Sequence, residues 1–278
     1  MAVTRVSGRE VSMARLRSLL LLCSAALLLA ATEAFPQSVQ QPAPFSPAQL
    51  QEIPDGSASA AELEEQGDQL RAEKRYLDSI DFYRVALQKK PTALLWNKEG
   101  MSYLLLLRAD KASKCFDHAI KLDKHAPEGY NNRGYIEQMK RKYDKAIRYY
   151  TKAISLRPDD AVFYYNMGSS YFGKHDYATA AEEYKTAFTL DPNIFIRVAR
   201  TGIMAQATSP EDRAAFAFMV ARMYAQAGDV DHSLEYLRKA MENGYKHINL
   251  VYTDREFATL RTDKRFEALM AQKPPAIQ

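Results

Sequence analysis

Gly67, Gly100, Gly134 and Gly168 recur at steps of 33, 34 and 34 residues, and each leads the same order of aromatic and small side chains. A unit of this length cannot bury its apolar face alone and does so by stacking on its neighbours, so the period constrains the chain to a solenoid. Four positions before the glycines stand Leu63, Trp96, Tyr130 and Tyr164. After them come a small residue (Ser79, Ala112, Ala146, Ala180), an aromatic (Tyr83, Phe116, Tyr150, Tyr184) and an alanine (Ala86, Ala119, Ala153, Ala187). Pro91, Pro158 and Pro192 close three units, and Lys124 stands in the remaining place.

This order closely resembles the tetratricopeptide repeat. The resemblance implies an all-α, right-handed helical solenoid built from antiparallel helix pairs. Glycine on the first helix and the small residue on the second are expected to let the pair cross closely, despite the helix-propensity cost of glycine. Proline ends the second helix because it lacks an N–H and clashes with the preceding turn. Tyr103 and Tyr171 fill the aromatic slot three after glycine, while Leu70 and Glu137 depart from it. The slot just before glycine, usually apolar in the family, holds Gln66, Glu99, Arg133 and Met167. Their stems are expected to lie over the core with polar heads in water.

Residues 1–34 are read as a secretory signal peptide: Arg5, Arg9, Arg15 and Arg17 precede the apolar run SLLLLCSAALLLAA, with Thr32 and Ala34 as small residues for cleavage. The run is shorter than the roughly 18–20 residues that span a bilayer, which favours cleavage over a retained anchor. Leu22 before Cys23 argues against a lipoprotein. Residues 35–59 read as a flexible Pro/Gln/Ser-rich linker and 60–193 as four regular units. A fifth, divergent unit over 214–242 starts at Ala214 instead of Phe195, a delay of 19 residues that makes 194–213 an insertion. Within it, Ile194 to Ala207 fits a helix or an extended strand equally, packed on the edge of the fourth unit or folded back toward the groove. Ser209-Pro210 followed by acids is a helix start. Residues 243–278 are expected to form a helical cap whose Phe257, Leu260, Phe266 and Leu269 cover the last apolar face.

Chemistry is not expected of this chain. None of its five histidines falls in a metal-ligand spacing, and neither a glycine-rich phosphate loop nor a GxSxG elbow occurs, so neither metal nor cofactor is predicted. Cys115, the one cysteine left after signal removal, reads as a small buried hydrophobe. The net charge of +4 owes much to the signal segment, and the near balance elsewhere argues against nucleic acid.

The resemblance implies a groove, lined by the first helix of each unit, that takes extended or helical peptides. Its implied contact positions hold Lys98, Met101, Asn132, Tyr135, Met139, Asn166, Ser169 and Phe172, with asparagine two before glycine bonding a ligand's main chain. Glu64, Glu65 and Asp68 make the first unit acidic and displace the basic clamp that some relatives use for a terminal carboxylate. The expected function is a non-catalytic scaffold or adaptor for a protein or peptide partner, exported to the periplasm or secreted, with no transmembrane segment in the mature chain. The alternative is a structural subunit of an envelope assembly that uses its convex face or the 194–213 insertion. The sequence does not set an oligomeric state.

Overall fold

In a computed structural model of the chain, residues 54–199 and 209–272 are described. The signal segment, the linker up to residue 53, residues 200–208 of the insertion and the tail from 273 lie outside the described residues. The described residues belong to one compact unit, Glu52–Gln278. Its helices follow as consecutive pairs: α1 (Ala60–Ala72) with α2 (Tyr76–Lys89), α3 (Ala93–Leu105) with α4 (Ala109–Leu122), α5 (Pro127–Met139) with α6 (Tyr143–Leu156), and α7 (Ala161–Gly173) with α8 (Tyr177–Leu190). Each second helix also packs on the first helix of the next unit, and successive first helices neighbour one another, which makes an all-α solenoid.

Local sequence sets the helix starts. Ser59 opens α1 through a reciprocal cap, its Oγ accepting from Glu62 N–H (3.3 Å) while Ser59 N–H donates to Glu62 Oε2 (2.8 Å). Thr92 caps α3, and Asp160 and Asp176 cap α7 and α8 by accepting from backbone N–H groups one turn on. Between the helices of each unit one residue turns left-handed: Lys74, Leu107, Arg141 and His175, at φ 63°, 58°, 55° and 61°. The next N–H then donates to a carbonyl of the preceding helix, as Arg108 does to Tyr103 and Lys142 to Glu137 (both 2.9 Å).

The repeating glycines make room for a ring. A Cβ at Gly67, Gly100 or Gly134 would lie 2.6, 2.5 or 2.7 Å from the Cε1 of Tyr83, Phe116 or Tyr150, and one at Gly168 would lie 2.9 Å from Tyr184 Cδ1. Direct approach to the small residue of the second helix, the expectation from sequence, adds to this at Gly168, where Ala180 O would be 3.3 Å away, but ring atoms are the nearest neighbours at all four. The aromatic ring, laid flat between the helices, is what the missing side chain accommodates.

Charged residues in the slot before glycine are not snorkelled. The Glu99 side chain is 5% exposed and accepts from Arg84 Nε of the preceding unit at 3.2 Å. One unit on, Arg133 meets Asp117 at 2.8 Å in the same arrangement with the signs exchanged. A counter-ion on the previous second helix thus replaces water. Burial raises the Glu99 carboxyl above its usual range, and burial, with Glu99 beside it, pushes the Cys115 thiol up to about 12. The sign follows: a raised folded-state pKa penalises the folded protein above that pKa and costs nothing below the unfolded value of about 4.3. Glu99→Gln, which keeps an acceptor for Arg84, should therefore raise the melting temperature at pH 7, and the gain should vanish near pH 4. Thermal unfolding across that range checks it.

Beyond Pro192 the chain forms α9 (Ile194–Ala199), a helix over the described part of the stretch that runs to Ala207, and then α10 (Pro210–Gln226) and α11 (Val230–Glu242). Ile194 and Phe195 are buried, and the Phe195 ring lies 6.0 Å from Tyr165, 5.9 Å from Tyr184 and 6.3 Å from Tyr224. Ser209 caps α10 by accepting from Asp212 N–H (3.1 Å), with Pro210 in the first turn. Ala221 stands where glycine did, and Ser233 Oγ donates to its carbonyl (2.9 Å). After Gly244 (φ 78°) come three 3-10 turns and α12 (Lys264–Gln272), and Phe257, Leu260, Phe266 and Leu269 are buried in the same core as Phe218 and Leu237. Among the described residues no helix is long and apolar enough to cross a membrane.

Candidate functional site

The first helices α1, α3, α5 and α7 run side by side, and their shared face carries a polar ladder. Its rule is regular: the residue two before glycine in one unit reaches the residue three before glycine in the unit before. Asn132 Nδ2 donates to Asn97 Oδ1 and Asn166 Nδ2 to Asn131 Oδ1, both at 2.8 Å. Asn131 Nδ2 donates to Asn132 Oδ1 (3.1 Å) and joins the two steps into one chain across α3, α5 and α7. A primary amide carries two N–H donors and one acceptor oxygen. No more than one N–H of each amide enters the ladder, so Asn97, Asn132 and Asn166 retain donors for a ligand's carbonyls.

At the first step Lys98 takes the place of asparagine and sits 2.5 Å from both Glu64 and Asp68. Asp68 also accepts from the Tyr83 hydroxyl (2.6 Å) and Arg71 (3.3 Å). Burial opposes its charge, but the bonds from Lys98 and Tyr83 outweigh that and hold the carboxyl below the usual range. Burial works against the charge of Lys98 as well, and its two carboxylates keep the ammonium above its ordinary pKa. Of the three acids expected in the first unit, Glu64 and Asp68 are thus engaged by Lys98, which is only 17% exposed, while Glu65 is not among its partners.

Farther along the face, Tyr135 is half-buried and its hydroxyl makes no hydrogen bond among the described residues. Burial raises its pKa, so it stands as a neutral donor. Met139 is 44% exposed, Leu105 41%, and Met101 half-buried over the Tyr103 cluster. Ser169 and Phe172 are engaged within the fold. Ser169 Oγ accepts from the Tyr184 hydroxyl (3.0 Å) and donates to Tyr165 O (2.9 Å), which occupies it internally. Phe172 is buried, edge-on to Tyr177 (5.0 Å) and Phe216 (6.1 Å), because α10 arrives beyond the insertion and covers it. Of the eight expected positions the face therefore presents Met101, Asn132, Tyr135, Met139 and Asn166. It adds Asn97, whose partner lies one unit away and is visible only when the slots three and two before glycine are compared across units.

The tetratricopeptide-repeat profile matches residues 127–160 and again 161–194, the third and fourth units with their ladder asparagines. Residues 127–194 thus carry two repeats of the tetratricopeptide-repeat family. Proteins of this family are generally protein-interaction scaffolds. Among solved structures it is similar to the crystal structure of MamA, at 24% identity over 64% of this chain and 93% of that one, with a TM-score of 0.44. It is also similar to TTC0263, a thermophilic tetratricopeptide-repeat protein of Thermus thermophilus (19% identity, 77% and 100% of the chains, TM-score 0.47). A third is YrrB, described as a tetratricopeptide-repeat protein with an unusual peptide-binding site (16% identity, 70% and 91%, TM-score 0.44). On the first-helix face the ladder amides and Tyr135 keep hydrogen-bonding capacity to spare.

Proposed function

We propose that this protein is a non-catalytic scaffold that takes an extended segment of a partner protein along the concave face of its first helices, in the bacterial cell envelope. The observation that carries the reading is the asparagine ladder beside the unbonded Tyr135 hydroxyl. Amides already locked by one bond lose little freedom on making another, and they read main-chain carbonyls, which gives affinity with little demand on partner sequence. Met101 and Met139 are unbranched and polarizable, so they adapt to varied apolar side chains. The basic leader and its short apolar run support export with cleavage, which puts the array in the periplasm or outside the cell.

Affinity capture from an envelope extract, followed by binding measurements on the recovered partner, tests this. Asn132→Ala with Tyr135→Ala should weaken the partner's affinity by tenfold or more, as truncations at an interface centre do. Neither side chain is fully buried, so the fold should persist. Affinity unchanged by the double variant but lost on deleting residues 200–208 would move the interface to the insertion and refute the groove.

A further inference from the structure

The turns that join the two helices of each unit stand side by side along one rim of the array. Lys140 Nζ bonds Asp110 (3.1 Å) and Lys174 Nζ bonds Asp144 (2.5 Å), each tying one turn to the start of the second helix in the unit before. With those acids paired, the rim is left positive: Arg108, Lys111, Arg141, Lys142 and Arg148 make no ion pair among the described residues, and all of them are exposed. A shallow concavity of about 260 Å³ opens between Arg141, Lys142, Arg148 and Lys174.

The step before these is apolar. Leu77 occupies the slot of Asp110 and Asp144, and Leu106 the slot of Lys140 and Lys174, so leucines stand where the later steps have ion pairs. Leu77 is 54% exposed and Leu107 77%. Leu107 is also left-handed at φ 58°, a conformation that glycine or asparagine adopts more readily. A large apolar side chain at a turn tip thus carries both a conformational and a solvation cost, and local choices of that kind mark function.

We propose that this rim docks on an anionic lipid bilayer, with Leu107 and Leu77 entering the interface and Arg108, Arg141, Lys142 and Arg148 over the headgroup phosphates. Charge complementarity supplies the attraction and the leucines require an apolar phase. A nucleic acid offers no such phase. An acidic peptide would seek main-chain donors, and the turn N–H groups of Arg108, Lys142 and Asp176 are already bonded to Tyr103, Glu137 and Tyr171. Neither apolar insertion nor surface charge holds a protein on a membrane firmly alone, and their combination does. The rim is separate from the first-helix face, so a docked array keeps its groove free.

The test uses the chain from Phe35 onward, which contains the whole compact unit, in co-sedimentation with phosphatidylcholine vesicles with and without phosphatidylglycerol. Binding should require phosphatidylglycerol and fall with added salt. Each cation near such a surface is worth about fivefold, so Arg141→Glu with Lys142→Glu should weaken binding by more than about twentyfold. Leu107→Asn, which tolerates the left-handed turn, should weaken it about tenfold, in line with the burial of most of one leucine. Melting temperatures check that both variants fold. No binding to phosphatidylglycerol vesicles, or equal binding to pure phosphatidylcholine, overturns the proposal. So does loss on charge reversal with no effect of Leu107→Asn, which would make the rim a general polyanion patch.

Discussion

Tyr150→Ala should lower the free energy of unfolding by about 3–5 kcal/mol, the range for deleting a fully enclosed aromatic ring. The Tyr150 side chain is 0% exposed and fills the space between α5 and α6 left by Gly134. Its hydroxyl donates to Gln138 Oε1 (2.8 Å), which also accepts from Ser170 Oγ of the next unit (3.1 Å), so the ring is tied into the stacking direction as well. Burial raises its pKa well above that of an ordinary tyrosine, so the loss should not depend on pH near neutrality. Gly134→Ala sharpens the point. Its Cβ would lie 2.7 Å from Tyr150 Cε1. Overpacking costs about 1–3 kcal/mol, against a helix-propensity gain of about 1 kcal/mol, for a modest net loss. In the Tyr150→Ala background the clash is gone, and Gly134→Ala should become stabilising. A double-mutant cycle by chemical denaturation should show a coupling above about 1 kcal/mol. An additive cycle would mean that the ring is not the reason for the glycine.

Both members of that pair stand in one unit at a constant spacing of 16 residues, yet the sequence points the glycine at the small residue of the second helix, and the structure points it at the ring. What else escaped sequence reading lies between units. Glu99 looked like a solvated head because its partner Arg84 sits on the preceding second helix. Asn97 and Asn131 carry no signal within their own units, because the ladder offsets the slots by one across each step. Phe172 looked like a groove contact because the residue that covers it, Phe216, comes after an insertion that breaks the register. The left-handed turns carried no glycine at Lys74, Leu107, Arg141 or His175 to announce them. A repeat pattern reports what each unit demands of itself, and the binding face is set by what neighbouring units do to one another.

Phe195→Ala should have an effect of similar size and a different character. Phe195 is 2% exposed, and its ring lies within 6.3 Å of Tyr165, Tyr184, Phe188, Phe216 and Tyr224, so α7, α8, α10 and α9 itself meet on one side chain. Truncation should cost about 3–5 kcal/mol. In a solenoid, stability is the sum of unit and interface contributions, and weakening one interface allows the flanking blocks to unfold apart. A single thermal transition in the parent protein should therefore broaden or split in Phe195→Ala, with α10 and α11 melting first. Hydrogen exchange should show the earlier loss of protection in residues 210–242. Phe195→Leu, which keeps most of the volume, should retain a single transition. A loss below about 1 kcal/mol with an unbroken transition would mean that the two blocks are joined elsewhere.

The central claim is that a partner segment lies on the face of the first helices. Methionine methyl resonances report on it directly, because Met101 and Met139 lie on that face while Met223 and Met241 are buried with α10 and α11. With methyl-labelled protein titrated by the captured partner segment, the Met101 and Met139 signals should shift together along one binding isotherm, and Asn132→Ala with Tyr135→Ala should move that isotherm to at least tenfold higher partner concentration. Shifts confined to Met223 and Met241, with Met101 and Met139 unmoved at saturation, would contradict the account.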